Sequence, residues 1–276
     1  DLETTSIDAY SAEIVGVSLC CKAHNAFYIP FIFPEITNEN MSSKYLLEKV
    51  KNFIESCESK FIGQNIKYDA LVLKNHGIKI KNIFFDTMIA ESLISPESNV
   101  YNLNSISEKY LSHTMISIDS LIGKNTLYNS MDEVPLKEIT EYACEDSDIV
   151  YQIFKTQSDM IEKLNLKKLF YELEMPFVKV LIDIEYNGLY VDLNILSNLS
   201  KDLTLELKKI TSKIYEKSGK EFNINSPKQL AVILFDDLKL KMYKKRSTSV
   251  DVLNKLVDFH PIAEDILEYR HLSKII

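Results

Sequence analysis

EIVGVSLCCKAHNAFYIPFI, residues 13–32, sets two runs rich in Val, Ile, Phe and Tyr on either side of a polar turn at Lys22–Asn25, which predicts a β-hairpin. The hairpin comes directly after Asp1–Thr5, read as an extended opening. Further along, apolar residues recur at Leu46, Leu47, Val50, Phe53 and Ile54, the 3.6-residue period of an amphipathic helix. A short run at Lys60–Gly63 leads into a helix over about 67–75, which Gly77 can close. Phe84–Phe85 reads as a short buried strand before a helix over 87–95, and another helix is expected near 103–111. Strands first, with helices threaded between them, predict an α/β fold.

The back half carries no strand signal. A helical pattern from about 134 to 160 passes without Gly or Pro into 161–174, Pro176 can kink the stretch after it, and Gly188 ends that stretch. Residues 187–192 read as a turn and short extended piece. A long helix is then expected over 193–217, with Leu196, Leu199, Leu203, Leu207 and Ile210 on one stripe. Ser226-Pro227 supplies an N-cap with proline in the first helical position for 227–236, and 249–274 is helical again. The domain boundary is drawn near 165, giving an α/β part over 1–165 and an all-helical part over 166–276.

With 46% hydrophobic and 26% charged residues, 6 Gly and 7 Pro, the chain suits a globular protein and excludes collagen-like and wholly disordered classes. No apolar run approaches 18 residues and the first residue is Asp1, so neither a membrane span nor a signal peptide is expected, and the start suggests a truncated or processed chain. Cys20, Cys21, Cys57 and Cys144 lack zinc or disulfide spacing and read as reduced core residues of an intracellular protein. The net charge of -8 conceals a gradient, from -10 over 1–150 and -2 over 151–200 to +4 over 201–276. An acidic front suits metal ligands and a basic tail suits a polyanion. Arg246 and Arg270 are the only arginines among 32 basic residues, so phosphate contacts must come mostly from lysine.

Asp1-Leu2-Glu3 puts two carboxylates on one face of an extended strand, where they can chelate a hard cation. The same string recurs at Asp183-Ile184-Glu185 inside a predicted helix, where two steps separate the side chains by about 200°, so only the first copy is a candidate. Asp69 closes the run Asn65-Ile66-Lys67-Tyr68-Asp69 at a helix start, where a carboxylate is electrostatically favoured. Tyr142 and Asp146 stand at i and i+4 and project from one helix face, whereas Asp148 points away from it.

Taken together, an Asp-x-Glu on an opening strand, an Asp after Gly-Gln-Asn, and a Tyr-x-x-x-Asp on a later helix resemble the DEDDy 3′–5′ exonucleases. GQNIKYD (63–69), FDTMIAESLI (85–94) and EYACEDSD (141–148) resemble more closely the proofreading domain of family A DNA polymerases. EMPFVKVLIDIEYNGLYVD (174–192), NSPKQLAVILF (225–235) and ILEYRHLSK (266–274) are similar to the start of the polymerase region and its thumb in that family. Nearly the whole chain is covered. Palm and fingers, which carry nucleotide addition, would come after Ile276, and part of the strand that should hold Asp1 is missing. Lysine-heavy usage suits an AT-rich genome, such as that of an apicoplast.

The resemblance implies an RNase H-like (DnaQ-like) exonuclease domain, a mixed sheet flanked by helices, followed by thumb helices. It implies hydrolysis of 3′-terminal phosphodiesters of DNA with two Mg²⁺ or Mn²⁺ ions, held by Asp1, Glu3, Asp69 and Asp146, with Tyr142 orienting the attacking water. Ile7 takes the position of an apolar wedge between terminal bases, Tyr128 that of a stacking aromatic, and Thr4 and Asn65 join the substrate-binding candidates. Lys228, Lys244, Lys245, Arg246, Arg270 and Lys274 are candidate phosphate contacts. The expected partner is DNA, single-stranded at the nuclease site and duplex along the thumb, for a monomer without a membrane role. A DEDDy RNA-processing exonuclease and a catalytically silent DNA-holding module are the alternatives.

Overall fold

The computed structural model describes residues 1–32, 42–124, 126–243 and 245–276, which fall into two compact units, Asp1–Gly188 and Leu189–Ile276. In the first, strands β1 (Leu2–Thr4), β2 (Ile14–Lys22) and β3 (Asn25–Pro30) form an antiparallel sheet in that order. The hairpin turns at His24, which takes a left-handed backbone with φ 64°. Strands β4 (Phe61–Gly63) and β5 (Ile83–Asp86) form a separate parallel pair. Parallel and antiparallel pairing thus both occur among the described residues, in a three-stranded and a two-stranded ladder flanked by helices, in keeping with the α/β fold expected.

Helix α1 (Ser43–Ser56) precedes β4 and α2 (Ile66–Asn75) succeeds it; α3 (Thr87–Ile94), α4 (Leu103–Leu111) and the short α5 (Ile118–Leu121) come next. Asp86 sets the junction between the parallel strands and their helices. Its carboxylate, 1% exposed, accepts from the amides of Met88 (2.9 Å) and Ile89 (3.2 Å) as the N-cap of α3, and from those of Asn65 (3.3 Å) and Ile66 (2.9 Å) at the start of α2. One side chain thereby closes the orphan donors of two helix starts. Asn65 turns into α2 with φ 55°, a conformation that asparagine tolerates better than most residues.

The long helix α6 (Leu136–Lys163) crosses the sheet. It does not run on into 161–174 as the absence of Gly and Pro suggested. Asn165 adopts φ 57°, and the Leu166 amide bonds back to the Ile161 carbonyl at 2.9 Å, the closure of a Schellman motif. After α7 (Lys167–Leu169) comes a π-helical stretch, Phe170–Glu174, and then α8 (Met175–Asn187). Pro176 accounts for the π stretch, since it lacks the amide that would close an ordinary turn onto Glu172.

Residues 166–188 pack with the first unit for an identifiable reason. Phe170 is fully buried, 4.7 Å from the Phe85 ring, which itself meets Phe154 edge-on at 4.9 Å. The compact unit therefore ends at Gly188, past the boundary near 165 drawn from the change of pattern along the sequence. Asp183 and Glu185 on α8 each take their own lysine of α2, Lys74 (2.6 Å) and Lys67 respectively, so this second Asp-x-Glu holds no shared site.

In the second unit α9 (Leu193–Ser218), α10 (Pro227–Ala231), α11 (Val250–Leu256) and α12 (Ile262–Ile275) surround Ile210, Ile214, Leu230, Leu234, Leu253, Leu256 and Ile266. Ser226 caps α10 through the Gln229 amide, as its sequence predicts. The expected helix over 249–274 is two helices, broken ahead of Pro261. The stripe of α9 also works over only half its length: Leu196 and Leu199 are exposed, and burial is complete only at Ile210 and Ile214. Among the described residues no helix is long and apolar enough to cross a membrane. All four cysteines are free, but none is a core residue: Cys21 is exposed and the others half-buried.

Candidate active site

Strand β1 aligns Glu3 opposite Gly16 and Leu2 opposite Val17, with a bulge after Glu3. This pairing turns Leu2 into the core and Glu3 toward α6. Glu3 is 5% exposed, yet its Oε1 has no hydrogen-bond partner. Asp146, one turn beyond Tyr142 on α6, comes to the same place. Oxygens of Asp1, Glu3 and Asp146 all lie within 4.8 Å of one another, the only such group of three among the described residues. Three acidic side chains this close repel one another unless they are protonated or share cations.

Their electrostatics record that conflict. Burial, then the neighbouring Asp146, pushes the Glu3 carboxyl up to about 8 from its ordinary 4.5. Burial likewise raises Asp146 to about 7 from 3.8. Tyr142 is pushed above the usual phenol range by burial and by the Asp146 and Glu3 carboxylates. Asp69, 7% exposed and raised to about 7 by burial, stands beside the group of three rather than within it.

A buried acid with no partner, beside two others, fits a divalent cation better than any ligand held by hydrogen-bond donors. Oxygen-only donors match a hard ion. The same shifts supply a test. These carboxyls keep their protons to higher pH in the folded chain than in the unfolded one, so the folded state binds more protons between the ordinary values near 4 and the folded values of 7 to 8. Stability of the metal-free chain is fully present below that window and declines as pH rises through it. Melting in a chelator at pH 5 and pH 8 should show a loss on the order of 3 kcal/mol, cancelled by millimolar Mg²⁺ or Mn²⁺. Equal stability at the two pH values would remove the electrostatic account.

The carboxylates open onto a cleft of about 630 Å³ whose lining includes Thr4, Ile7, Asn65, Tyr68, Met131 and Tyr142. Ile7 is 99% exposed there, which rules out a core role for it. The Thr4 hydroxyl meets that of Tyr68 at 2.6 Å, and Tyr68 also reaches the Ser6 carbonyl. Gln64 joins the lining, held by Thr87 and by the Tyr101 carbonyl at 2.9 Å. Tyr68 and Gln64 were missed as individual site residues, although both stand inside the run GQNIKYD. Tyr128 does not line the cleft; it packs half-buried with Leu121, Met131 and Val134.

The basic candidates of the second unit separate by what already holds them. Arg270 donates to the Thr248 carbonyl at 2.6 Å, and Arg246 forks onto Asp236 at 2.6 and 2.8 Å, so both are occupied within the fold. Lys228, Lys245 and Lys274 are exposed, and Lys244 lies outside the described residues.

Comparison with known proteins respects this division. Residues 1–162 match the family model described as 3′-5′ exonuclease, and residues 193–276 match DNA polymerase family A. The chain is 39% identical to DNA polymerase I of Borreliella burgdorferi and 32% identical to that of Pseudomonas aeruginosa, over all of its own length but 30% and 31% of theirs. Against DNA polymerase I of Bacillus subtilis it is 34% identical over 97% of its length and 29% of the relative's. The chain thus spans about a third of these bacterial relatives. A solved structure, the POL domain of Pol1 from M. smegmatis in complex with DNA primer-template and dNTP, superposes with a TM-score of 0.78 at 18% identity, covering 99% of this chain and 44% of that one.

Proposed function

The chain belongs to the family A DNA polymerases, with a 3′–5′ exonuclease standing ahead of the start of the polymerase region, and on that premise we propose that it removes nucleotides from the 3′ end of DNA as a proofreading nuclease. The observation that carries this reading is the meeting of Asp1, Glu3 and Asp146 within 4.8 Å from sequence positions some 140 residues apart. Residues 1–165 are assigned to the nuclease and 166–276 to the beginning of the polymerase region.

Asp1, Glu3 and Asp146, with Asp69 behind them, would hold two Mg²⁺ or Mn²⁺ ions. Bound there, such ions supply an acidified water and neutralise charge at the leaving 3′ oxygen. The chain's own groups do the rest. Tyr142, too weak an acid for proton abstraction near neutrality, orients the water by hydrogen bonding. Ile7 presents an apolar edge against which a terminal base can be separated from its neighbour, and Thr4, with Tyr68 behind it, borders the path of the strand. All these groups come from one chain, so a monomer suffices.

Incubation of the chain with a 3′-labelled single strand and Mg²⁺ or Mn²⁺ should release nucleoside monophosphates, and a chelator should stop it. Absence of release would leave the DNA-holding alternative; faster release from an RNA strand of the same sequence would favour RNA processing.

DNA contacts of the second unit are assigned to Lys228 and Lys274, which are exposed. Replacing both with glutamine should reduce the log–log salt slope of duplex binding by about 1.8, roughly 0.9 for each lost phosphate contact. Digestion of a trinucleotide should be unaffected. An unchanged slope would show that duplex DNA lies elsewhere.

A further inference from the structure

Three side-chain atoms on one face of the β1–β2–β3 sheet are buried without a hydrogen-bond partner: Glu3 Oε1, Ser18 Oγ and the Tyr28 hydroxyl. The ladder explains why they are neighbours. Glu3 pairs with Gly16 and Tyr28 pairs with Ser18, and residues 16 and 18 of β2 point to the same side. Tyr28 sits on β3 and Glu3 on β1, with β2 between them. A side chain at position 16 would block any approach across β2, and glycine leaves the way open. A Cβ built on Gly16 would lie 2.2 Å from the Tyr28 oxygen and 2.3 Å from its ring carbon Cζ. The phenol therefore lies across the bare backbone of Gly16, with its tip toward the strand that carries Glu3.

We infer that Tyr28 is a positioning residue for the nuclease site: its hydroxyl and Glu3 Oε1, both unpaired in this structure, close into a hydrogen bond, the phenol donating, when the carboxylate takes up the divalent ion. The inference rests on the function proposed above. A buried hydroxyl left unpaired is costly, and a phenol with an acidic neighbour across one glycine has an evident acceptor. Carboxylates that bind metal are themselves commonly held by a second group, and loss of that group typically weakens metal binding by about 10- to 100-fold. The other phenol of the site, Tyr142, comes from α6, one turn before Asp146, and not from the sheet that carries Glu3. The rest of the Tyr28 side chain packs with Val15 and Met131, so Tyr28→Phe keeps the ring contacts and removes one oxygen.

The test measures Mn²⁺ binding directly, by calorimetry or by the spectrum of the free ion, and in parallel the Mn²⁺ concentration for half-maximal digestion of a single strand. Tyr28→Phe should weaken both by about 10-fold, leave the melting temperature in chelator within a few degrees of the parent, and recover parental digestion at saturating Mn²⁺. Gly16→Ala should push the phenol aside and reproduce the weakened binding with Tyr28 still present. Equal Mn²⁺ affinity in the parent and in Tyr28→Phe overturns the inference, as does a loss of digestion that saturating Mn²⁺ fails to restore. Failure of the parent itself to bind Mn²⁺ would instead overturn the nuclease assignment on which the inference stands.

Discussion

Asp1→Asn combined with Glu3→Gln is expected to reduce release of nucleotides from a 3′ end by on the order of 10⁴-fold, equivalent to about 5.5 kcal/mol of lost transition-state stabilisation. The amides preserve shape and remove the charge needed to retain cations. The fold should not suffer. Glu3 is 5% exposed and carries an oxygen without a partner, so a neutral side chain relieves a burial cost. The double variant should therefore melt, in chelator at pH 8, at the same temperature as the parent or above it. Residual digestion above about one hundredth of the parent rate, in a variant that melts normally, would show that the acidic group is not the reacting centre.

A comparably large effect on stability is expected of Asp86→Ala. Four backbone amides, those of Asn65, Ile66, Met88 and Ile89, lose their acceptor at once. An N-cap alone is worth about 1 kcal/mol, and each buried donor left unpaired costs about 1–3 kcal/mol. The combined cost is set at about 4 kcal/mol, partly relieved where water can reach Asn65. Urea unfolding measures it directly. Asp86→Asn retains an acceptor oxygen and should cost about half as much. A loss below about 1 kcal/mol for Asp86→Ala would mean that the two helix starts are held by packing rather than by this carboxylate.

The hairpin, helices α1 to α4 and the capped start of α10 were legible because each has a local signature: alternating branched residues around a polar turn, a 3.6-residue apolar period, or Ser-Pro at a helix start. The acidic site was legible only through the joint pattern of Asp1, Glu3, Asp69, Tyr142 and Asp146, since each string alone is common. Most of the features that escaped depend on contacts distant in sequence. Asn165 is the exception: asparagine is itself a local signal for the left-handed turn that ends α6, but a weak one within a run of good helix formers. Phe170 resembles any helical aromatic until Phe85 is found 4.7 Å away, which is why residues up to 188 join the first unit. Arg270 read as a free cation because its acceptor, the Thr248 carbonyl, is a backbone atom that no side-chain pattern reveals. Tyr28 was read only as a strand former, because the significance of Gly16 depends on which residue faces it across the ladder.

The joining of β1 to α6 also has a consequence in time. During synthesis the hairpin and the helices around β4 and β5 leave the ribosome ahead of α6, and their pairings are largely within reach of nearby sequence. Asp146 leaves only after all of them, together with the phenol one turn before it. A chain interrupted between Asp69 and α6 thus holds Asp1, Glu3 and Asp69 but lacks both the third member of the close acidic group and the phenol proposed to orient water. Incomplete translation products of this protein should accordingly be inert toward DNA ends, so that competence to cut arrives only with a nearly finished first unit.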